Sequence, residues 1–207
     1  MAETMIIDPA TRDPFDVYRL LSGSILPRPI AFVSSLSPEG VRNLAPFSFF
    51  TVASAHPPVV CFCPMIRGGE RPKKDTLNNI EATKEFVVNI VSEDFCEKMN
   101  LCAGEYPPEV DEFELSGLTP VASEIVKPPR VAESRMNMEC KLHEVVHVSS
   151  KLLGGSIVMG EVLRFHVPDS MVNQICEIDA DQLNAVGRMA GPTYVRTKDR
   201  FDMIRPA

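Results

Sequence analysis

The sequence predicts a mainly β protein, a barrel or sandwich with short helices inserted between its strands. Three observations carry that expectation. Proline outnumbers glycine, 18 to 11 in 207 residues, and prolines break helices and central strands while stiffening loops. Runs rich in Val, Ile, Phe and Thr are short and end at turn signals. The two clear helical patterns lie between strands without the strict alternation of a doubly wound sheet.

Taken in order, Phe15 to Leu21 reads as a short helix and Ile30 to Leu36 as a strand. Ser37-Pro38-Glu39-Gly40 has the Pro and Gly positions of a type I turn, so Val41 onward returns as the second arm of a hairpin. Phe47 to Ala53 and Val59 to Pro64 are two further strands, parted by the breaker His56-Pro57-Pro58. A helix follows, with Asp75 or Thr76 as its N-cap and Leu77 and Ile80 on its buried stripe. Phe86 to Val91 is a strand, and Ser92-Glu93-Asp94 opens a second helix ending near Ala103-Gly104. Residues 105–130 read as loop, with a short apolar stretch at Gly117 to Val121. Arg135 to Ser149 and Ser156 to Val167 are the longest strands, joined by a Gly154-Gly155 turn. One strand near Ile178 and a loop-rich end complete the chain. There are no repeats and no composition shift, so residues 1–207 are expected to form one domain. Its core spans about 20–168, and a C-terminal tail, 169–207, packs on the barrel or on a second copy.

The formal net charge is −7, which disfavours general nucleic-acid binding, since that needs a basic face. No apolar run reaches the ~18 residues a membrane span requires, and Met1 to Ala10 lacks the pattern of a signal peptide. Six cysteines in a chain of this length are not a disulfide framework, and a reducing cytoplasm is the expected compartment.

Three segments could carry chemistry. Arg67, Arg71, Lys73 and Lys74 form a basic loop that runs directly into the Asp75-Thr76 helix start. Cations, a helix dipole, free N–H groups and the Thr76 hydroxyl would converge there on an anion; otherwise the loop is a solvated basic surface. Arg28, held between two prolines, would project from a stiff strand entry toward a ligand's anionic or carbonyl group, or simply toward solvent. The segment Asn43-Leu44-Ala45-Pro46-Phe47-Ser48-Phe49-Phe50 places polar residues and a donor-free Pro46 in an apolar strand pair. That is either a barrel wall with backbone groups facing a ligand or an edge strand with a bulge. No metal site is expected: His143 and His147 would stand about 13 Å apart on a strand, and Cys61-Phe62-Cys63 has no second cysteine pair to complete a zinc site. Dinucleotide, Walker and nucleophile-elbow loops are absent from the sequence.

The order of motifs resembles one family. Pro27-Arg28-Pro29-Ile30-Ala31, Asn43 to Phe50, Pro57-Pro58, Lys73-Lys74-Asp75-Thr76 and Glu85-Phe86-Val87-Val88-Asn89 occur in the sequence of the flavin reductase-like FMN-binding split-barrel family. That family includes flavoredoxin and the reductase components of two-component monooxygenases. The similarity continues through Asp111-Glu112-Phe113, Lys127-Pro128-Pro129-Arg130, Glu139-Cys140-Lys141-Leu142 and Val186-Gly187-Arg188, covering about residues 20–200. The resemblance implies a six-stranded split β-barrel with inserted short helices, non-covalent FMN and a homodimer. It implies an NAD(P)H-dependent flavin reductase that passes electrons to free flavin or to a monooxygenase partner, or else an FMN electron carrier with no nicotinamide activity of its own. Lys74 and Thr76 would hold the phosphate, with Arg28 and Lys73 as helpers. Asn43, Leu44, Ala45, Ser48 and Phe49 would lie along the flavin, and Arg188 and Tyr194 would approach the flavin or the nicotinamide. The loop Pro64 to Lys73 is longer than in many relatives, which leaves the roles of Arg67 and Arg71 open.

Overall fold

The structure, a computed structural model, describes residues 3–206. It opens with helix α1 (Pro14–Ser24) and strands β1 (Ala31–Leu36), β2 (Arg42–Phe47), β3 (Phe50–Ala55) and β4 (Pro58–Phe62). Helix α2 (Asp75–Thr83), strand β5 (Glu85–Ile90) and helices α3 (Cys96–Leu101) and α4 (Glu112–Ser116) follow. Then come β6 (Pro120–Val121), β7 (Arg130–Val131), β8 (Asn137–His147), β9 (Ser156–His166), helix α5 (Ala180–Leu183), β10 (Val186–Arg188) and β11 (Tyr194–Arg196).

The main sheet is antiparallel, in the order β2-β1-β5-β8-β9-β4-β3. Strands β2 and β3 form its two edges, yet only Ser48 and Phe49 separate them in the chain. The three residue steps from Phe47 to Phe50 span about 11 Å at most, so the sheet must curl until its edges meet at that corner. The result is a split barrel. It has seven strands rather than the six implied by the resemblance, because residues 42–55 break at Ser48-Phe49 and serve both edges.

Strand β1 is buried on both faces. Ala31 and Val33 point into the barrel with Phe62, Phe86, Val88 and Val158. Ile30 and Phe32 point the other way, under Phe95, Met99, Phe113 and Val131. That alternation is the period of a strand, and the second layer is supplied by α3, α4 and the loop carrying β7. Leu77 and Ile80 of α2 belong to the barrel interior, as their spacing predicts. Helix α2 therefore plugs one barrel end and aims its first turn outward. Gly160 on β9 lets the Phe86 ring lie flat against the backbone, since a Cβ there would fall 2.2 Å from Phe86 Cζ.

Several expectations are corrected. The N-cap of α2 is Lys74, not Asp75 or Thr76; the Asp75 carboxylate is drawn aside by Arg67 at 3.1 Å and Arg71 at 3.6 Å. The 105–130 segment contains α4, capped by the Asp111 side chain on Phe113 N–H, besides the short β6–β7 pair. No strand forms at Ile178, which makes only an isolated bridge to Val172. The end of the chain instead holds α5 and the β10–β11 hairpin, tied to the barrel by Arg28–Arg188 and Ser92–Ala185 bridges.

The loop before β7 is held by a buried carboxylate. Glu139 accepts from the N–H groups of Glu124, Ile125 and Val126 at 2.7–3.0 Å and meets His166 Nε2 at 2.6 Å. Burial alone would raise its pKa, but these donors outweigh burial and hold it down at about 2. Its contribution to stability is therefore complete above the ordinary carboxylate range and is lost as pH falls toward 2. Glu139→Gln turns an NH2 group against N–H donors and should cost about 2 kcal/mol at pH 7. In urea unfolding the gap between wild type and variant should close as the pH is lowered from about 4.5 toward 2; a gap independent of pH would show that the carboxylate charge does not hold the loop.

Candidate functional site

The corner where the sheet edges meet opens into two joined chambers. The inner one, about 180 Å³, is walled by Ala45 to Phe49, by Lys74 to Thr76 and by Glu112. The outer one, about 610 Å³, is walled by α1, Arg28, Asn100, Arg188 and Tyr194. Tyr18, Pro46, Ser48 and Ala103 line both, so the two form one cleft along the seam.

Strand β2 shapes the inner wall because it is an edge. Leu44 N–H turns away from β1 and donates to Glu112 Oε2 at 2.9 Å. Pro46 has the same parity and faces outward too, where its missing N–H leaves no ladder donor unmatched. Glu112, the first residue of α4, is buried and has no cationic partner among the described residues. Its two oxygens accept from Asn43 Nδ2 at 3.0 and 3.1 Å, and burial pushes its pKa up. These contacts fix the Asn43 amide with Oδ1 on the far side, where it accepts from Thr76 Oγ1 at 2.7 Å. The Thr76 hydroxyl proton is thus committed to Asn43.

The cation side is decided by pairing. Lys73 bonds Glu81 on the helix flank and does not reach either chamber. Lys74 lines the inner chamber and has no carboxylate partner among the described residues. Burial, reinforced by Arg67, lowers its pKa. Beside it α2 begins: Leu77 and Asn78 donate to Lys74 O at 3.0 and 3.2 Å, while the N–H groups of Asp75 and Thr76 precede any intrahelical acceptor. Arg67 also lines the chamber but is shared with Asp75 at 3.1 Å and with Lys73 O at 3.3 Å. Arg71 reaches out to Tyr106 O at 2.9 Å.

Arg28 is 5% exposed and is engaged elsewhere than at the α2 turn. Its guanidinium donates to Ser22 O, to Ile25 O at 3.2 Å, to Met189 O at 2.9 Å and to Ser48 Oγ at 3.4 Å. It stitches α1 and the β10–β11 hairpin to the seam, and burial lowers its pKa. Arg188 lies 4.5 Å over the Tyr194 ring, and Tyr194 OH donates to Asn100 Oδ1 at 3.2 Å.

The structure therefore brings Asn43, Ala45, Ser48, Phe49, Lys74 and Thr76 together in the inner chamber, and Arg28, Ser48, Arg188 and Tyr194 in the outer one. Lys73 stands apart. Leu44 keeps its side chain in the core and offers only its backbone. Sequence assigns Glu112 no role, because its helix is five residues long and sits in proline-rich sequence; the only local signal there is Asp111 as a cap. Cys63 and Cys102 reach the inner chamber unforeseen. Burial raises both, Cys102 to about 11, so both remain thiols at neutral pH. No cluster of potential metal ligands occurs among the described residues, and no helix there is long and apolar enough to cross a membrane.

Comparison with known proteins identifies the family. Residues 22–176 match the family model described as flavin reductase like domain; the chain belongs to that family. An uncharacterised protein of Aquifex aeolicus is 41% identical over 180 residues, covering 87% of this chain and 89% of that protein. Nitrilotriacetate monooxygenase component B from Bacillus cereus is 35% identical, with a TM-score of 0.92 over 98% of this chain and all of that one. The 2-nitrobenzoate 2-nitroreductase of Pseudomonas fluorescens is 32% identical, with a TM-score of 0.87 over 98% and 96%.

The Glu112–Asn43 contact gives a direct test. Asn43→Asp sets two buried carboxylates against each other, so one must take a proton and its pKa rises. The variant should lose about 2–4 kcal/mol at pH 7.5 and recover part of it at pH 5.5. Equal melting deficits at both pH values would mean that Asn43 does not face Glu112.

Proposed function

We propose that the protein is an NAD(P)H-dependent FMN oxidoreductase, a flavin reductase delivering electrons to free flavin or to a monooxygenase component. One observation carries the choice of cofactor: Lys74, a cation with no carboxylate partner among the described residues, lines the inner chamber at the first turn of α2. FMN has one terminal phosphate, and an ammonium beside free helix N–H groups suits it. The outward edge of β2 and the apolar surface of Phe47 and Phe49 suit a flat ring with polar rims.

When bound, the flavin supplies the hydride-accepting and electron-releasing centre. The chain's own work is binding and orientation. Lys74 and the N–H groups of Asp75 and Thr76 hold the phosphate. The Glu112–Asn43 pair keeps the adjoining wall rigid, and Tyr18 and Ser48 border the passage through which a nicotinamide reaches the ring. None of His56, His143, His147 and His166 lines either chamber, in keeping with chemistry that requires no side-chain base.

We further propose that residues 1–207 act as one domain in a reducing cytoplasm, in keeping with six free cysteines. A homodimer is proposed as well. Leu21, Ile25, Phe201 and Ile204 are exposed apolar side chains that a second copy would cover.

Lys74→Ala should weaken FMN binding by about 1.5–3 kcal/mol, roughly ten- to a hundredfold, with riboflavin affinity nearly unchanged. Equal losses for the two flavins would remove the phosphate from this place. Anaerobic stopped-flow of the FMN-loaded protein should show the flavin bleached by NADH or NADPH. Reduction by dithionite alone would make it an electron carrier instead.

A further inference from the structure

Glu112 is a buried acid in the wall of the chamber that an anion would enter. It is 6% exposed and borders the same space as Lys74 and Thr76. No cation among the described residues bridges it, and the charges around it are engaged elsewhere. On its own helix, Asp111 and Glu114 both pair with Arg42 of β2. From α3, Lys98 donates to Gly117 O at 2.8 Å, and the Cys102 thiol just beyond lies 3.7 Å from the Glu112 backbone oxygen. Across the chamber Arg67 bridges Asp75, and Lys74 faces the open space.

An anion held beside Lys74 would share this wall with an acid that no cation offsets. Like charges in a space of low polarity repel, so the acid gains affinity for a proton. Burial already pushes the Glu112 pKa up, which brings proton uptake closer to neutral pH. The hydrogen bonds show where such a change would travel. Asn43 Nδ2 stands 3.0 and 3.1 Å from the two Glu112 oxygens, and Asn43 Oδ1 accepts from Thr76 Oγ1 at 2.7 Å. A protonated carboxyl group donates, and Asn43 Oδ1 becomes its acceptor once the amide turns over. Nδ2 then donates to Thr76 Oγ1, with Ser35 Oγ at 3.4 Å as its second acceptor. The two ends of an amide are nearly the same size, so the turn needs no repacking. The Thr76 hydroxyl, relieved of its acceptor, turns its own proton toward the chamber.

We propose that Glu112 is a positioning residue for the flavin phosphate: it takes one proton from solvent when the phosphate binds, and through Asn43 it converts Thr76 from acceptor to donor. This rests on FMN occupying the inner chamber with its phosphate at Lys74. Because the bound state holds the proton more tightly, FMN affinity falls as pH rises, by up to about tenfold per pH unit. Riboflavin, which has no phosphate, lacks that dependence. Burial also lowers the Lys74 pKa, and loss of its charge would weaken FMN binding in the same direction. The decisive comparison is therefore with a variant that retains Lys74.

Calorimetric titration of the flavin-free protein with FMN at pH 7.5, in Tris and in Hepes, counts the protons exchanged. Wild type should take up at least about half a proton more per FMN than Glu112→Gln, and riboflavin should give no difference between the two. Glu112→Gln, whose amide stands in for the protonated acid, should bind FMN about threefold tighter than wild type or better at pH 8. Thr76→Val keeps the acid and removes the hydroxyl at the far end of the relay, and it should cut the uptake by about half or more. This second variant also tests the relay where Glu112→Gln does not fold. Equal uptake in wild type and Glu112→Gln, or uptake unmoved by Thr76→Val, overturns the proposal while the flavin site stands. Equal affinity of wild type for FMN and riboflavin overturns the phosphate assignment, and this inference with it.

Discussion

Two residues, Ser48 and Phe49, lie between strands that form opposite edges of one seven-stranded sheet, and the rest of the molecule follows from that constraint. A sheet whose first and last strands are consecutive in the chain cannot lie open. It rolls, and the two edges meet at a corner that backbone hydrogen bonds do not fully close. Phe49 O accepts from Cys63 N at 2.8 Å, which pins the corner to the end of β4. Past that point β2 faces a cleft instead of another strand. An unpaired edge is ordinarily a liability that proteins cover or blunt. Here Pro46 removes one donor, Glu112 satisfies another, and the cleft takes what remains. The proposed binding site is thus the place where the barrel fails to close.

Helix α2 places a cation at that opening. Leu77 and Ile80 are sealed into the barrel end, and apolar burial of this kind is worth about 1.5–3 kcal/mol per side chain. That is enough to fix the direction of a nine-residue helix whose own propensity is marginal. With the hydrophobic stripe inward, the first turn can only point at the seam. Asp75 would neutralise Lys74 if it were left to do so, but Arg67 and Arg71 hold its carboxylate aside. The roles of these two arginines, open from sequence, are therefore indirect: they free a neighbouring cation by occupying its natural partner.

Much of the fold was legible because local pattern and tertiary role coincided. β1, β8 and β9 read as strands from alternation and length, and α2 from the spacing of Leu77 and Ile80. The missed elements are those whose stability is tertiary. α4 and α5 are five and four residues long, below the length at which periodicity can be seen, and each depends on an Asp cap and on what it packs against. β10 and β11 have three residues each and exist through their bridge to Arg28. The site was legible in outline and not in detail for a related reason. Lys73 and Lys74 are adjacent, and sequence cannot say which one a helix start will turn outward. The register of α2 decides, sending Lys73 to Glu81 and Lys74 to the chamber.

The hydroxyl of Thr76 shows how far the polar floor of the cleft is determined from a distance. A threonine at a helix start reads naturally as a donor to phosphate. Its direction is instead set two contacts away. Both Glu112 oxygens stand within hydrogen-bond distance of Asn43 Nδ2 and one of Leu44 N–H, so Asn43 presents its amide NH2 to the carboxyl group. The amide oxygen then faces Thr76, which must give its proton to that oxygen. Ser35 and Asn79 extend the same buried network at 3.4 and 3.2 Å, so no member can turn alone. Thr76 consequently meets the chamber as an acceptor, and the donors available to an anion are the Lys74 ammonium and the backbone N–H groups of the helix start. Backbone donors are common to any helix N-terminus, and the ammonium distinguishes this one. The proposed anion binding at the seam therefore depends on one side-chain charge set against a wall of fixed dipoles, and the buried Glu112 that fixes those dipoles makes no contact with Lys74.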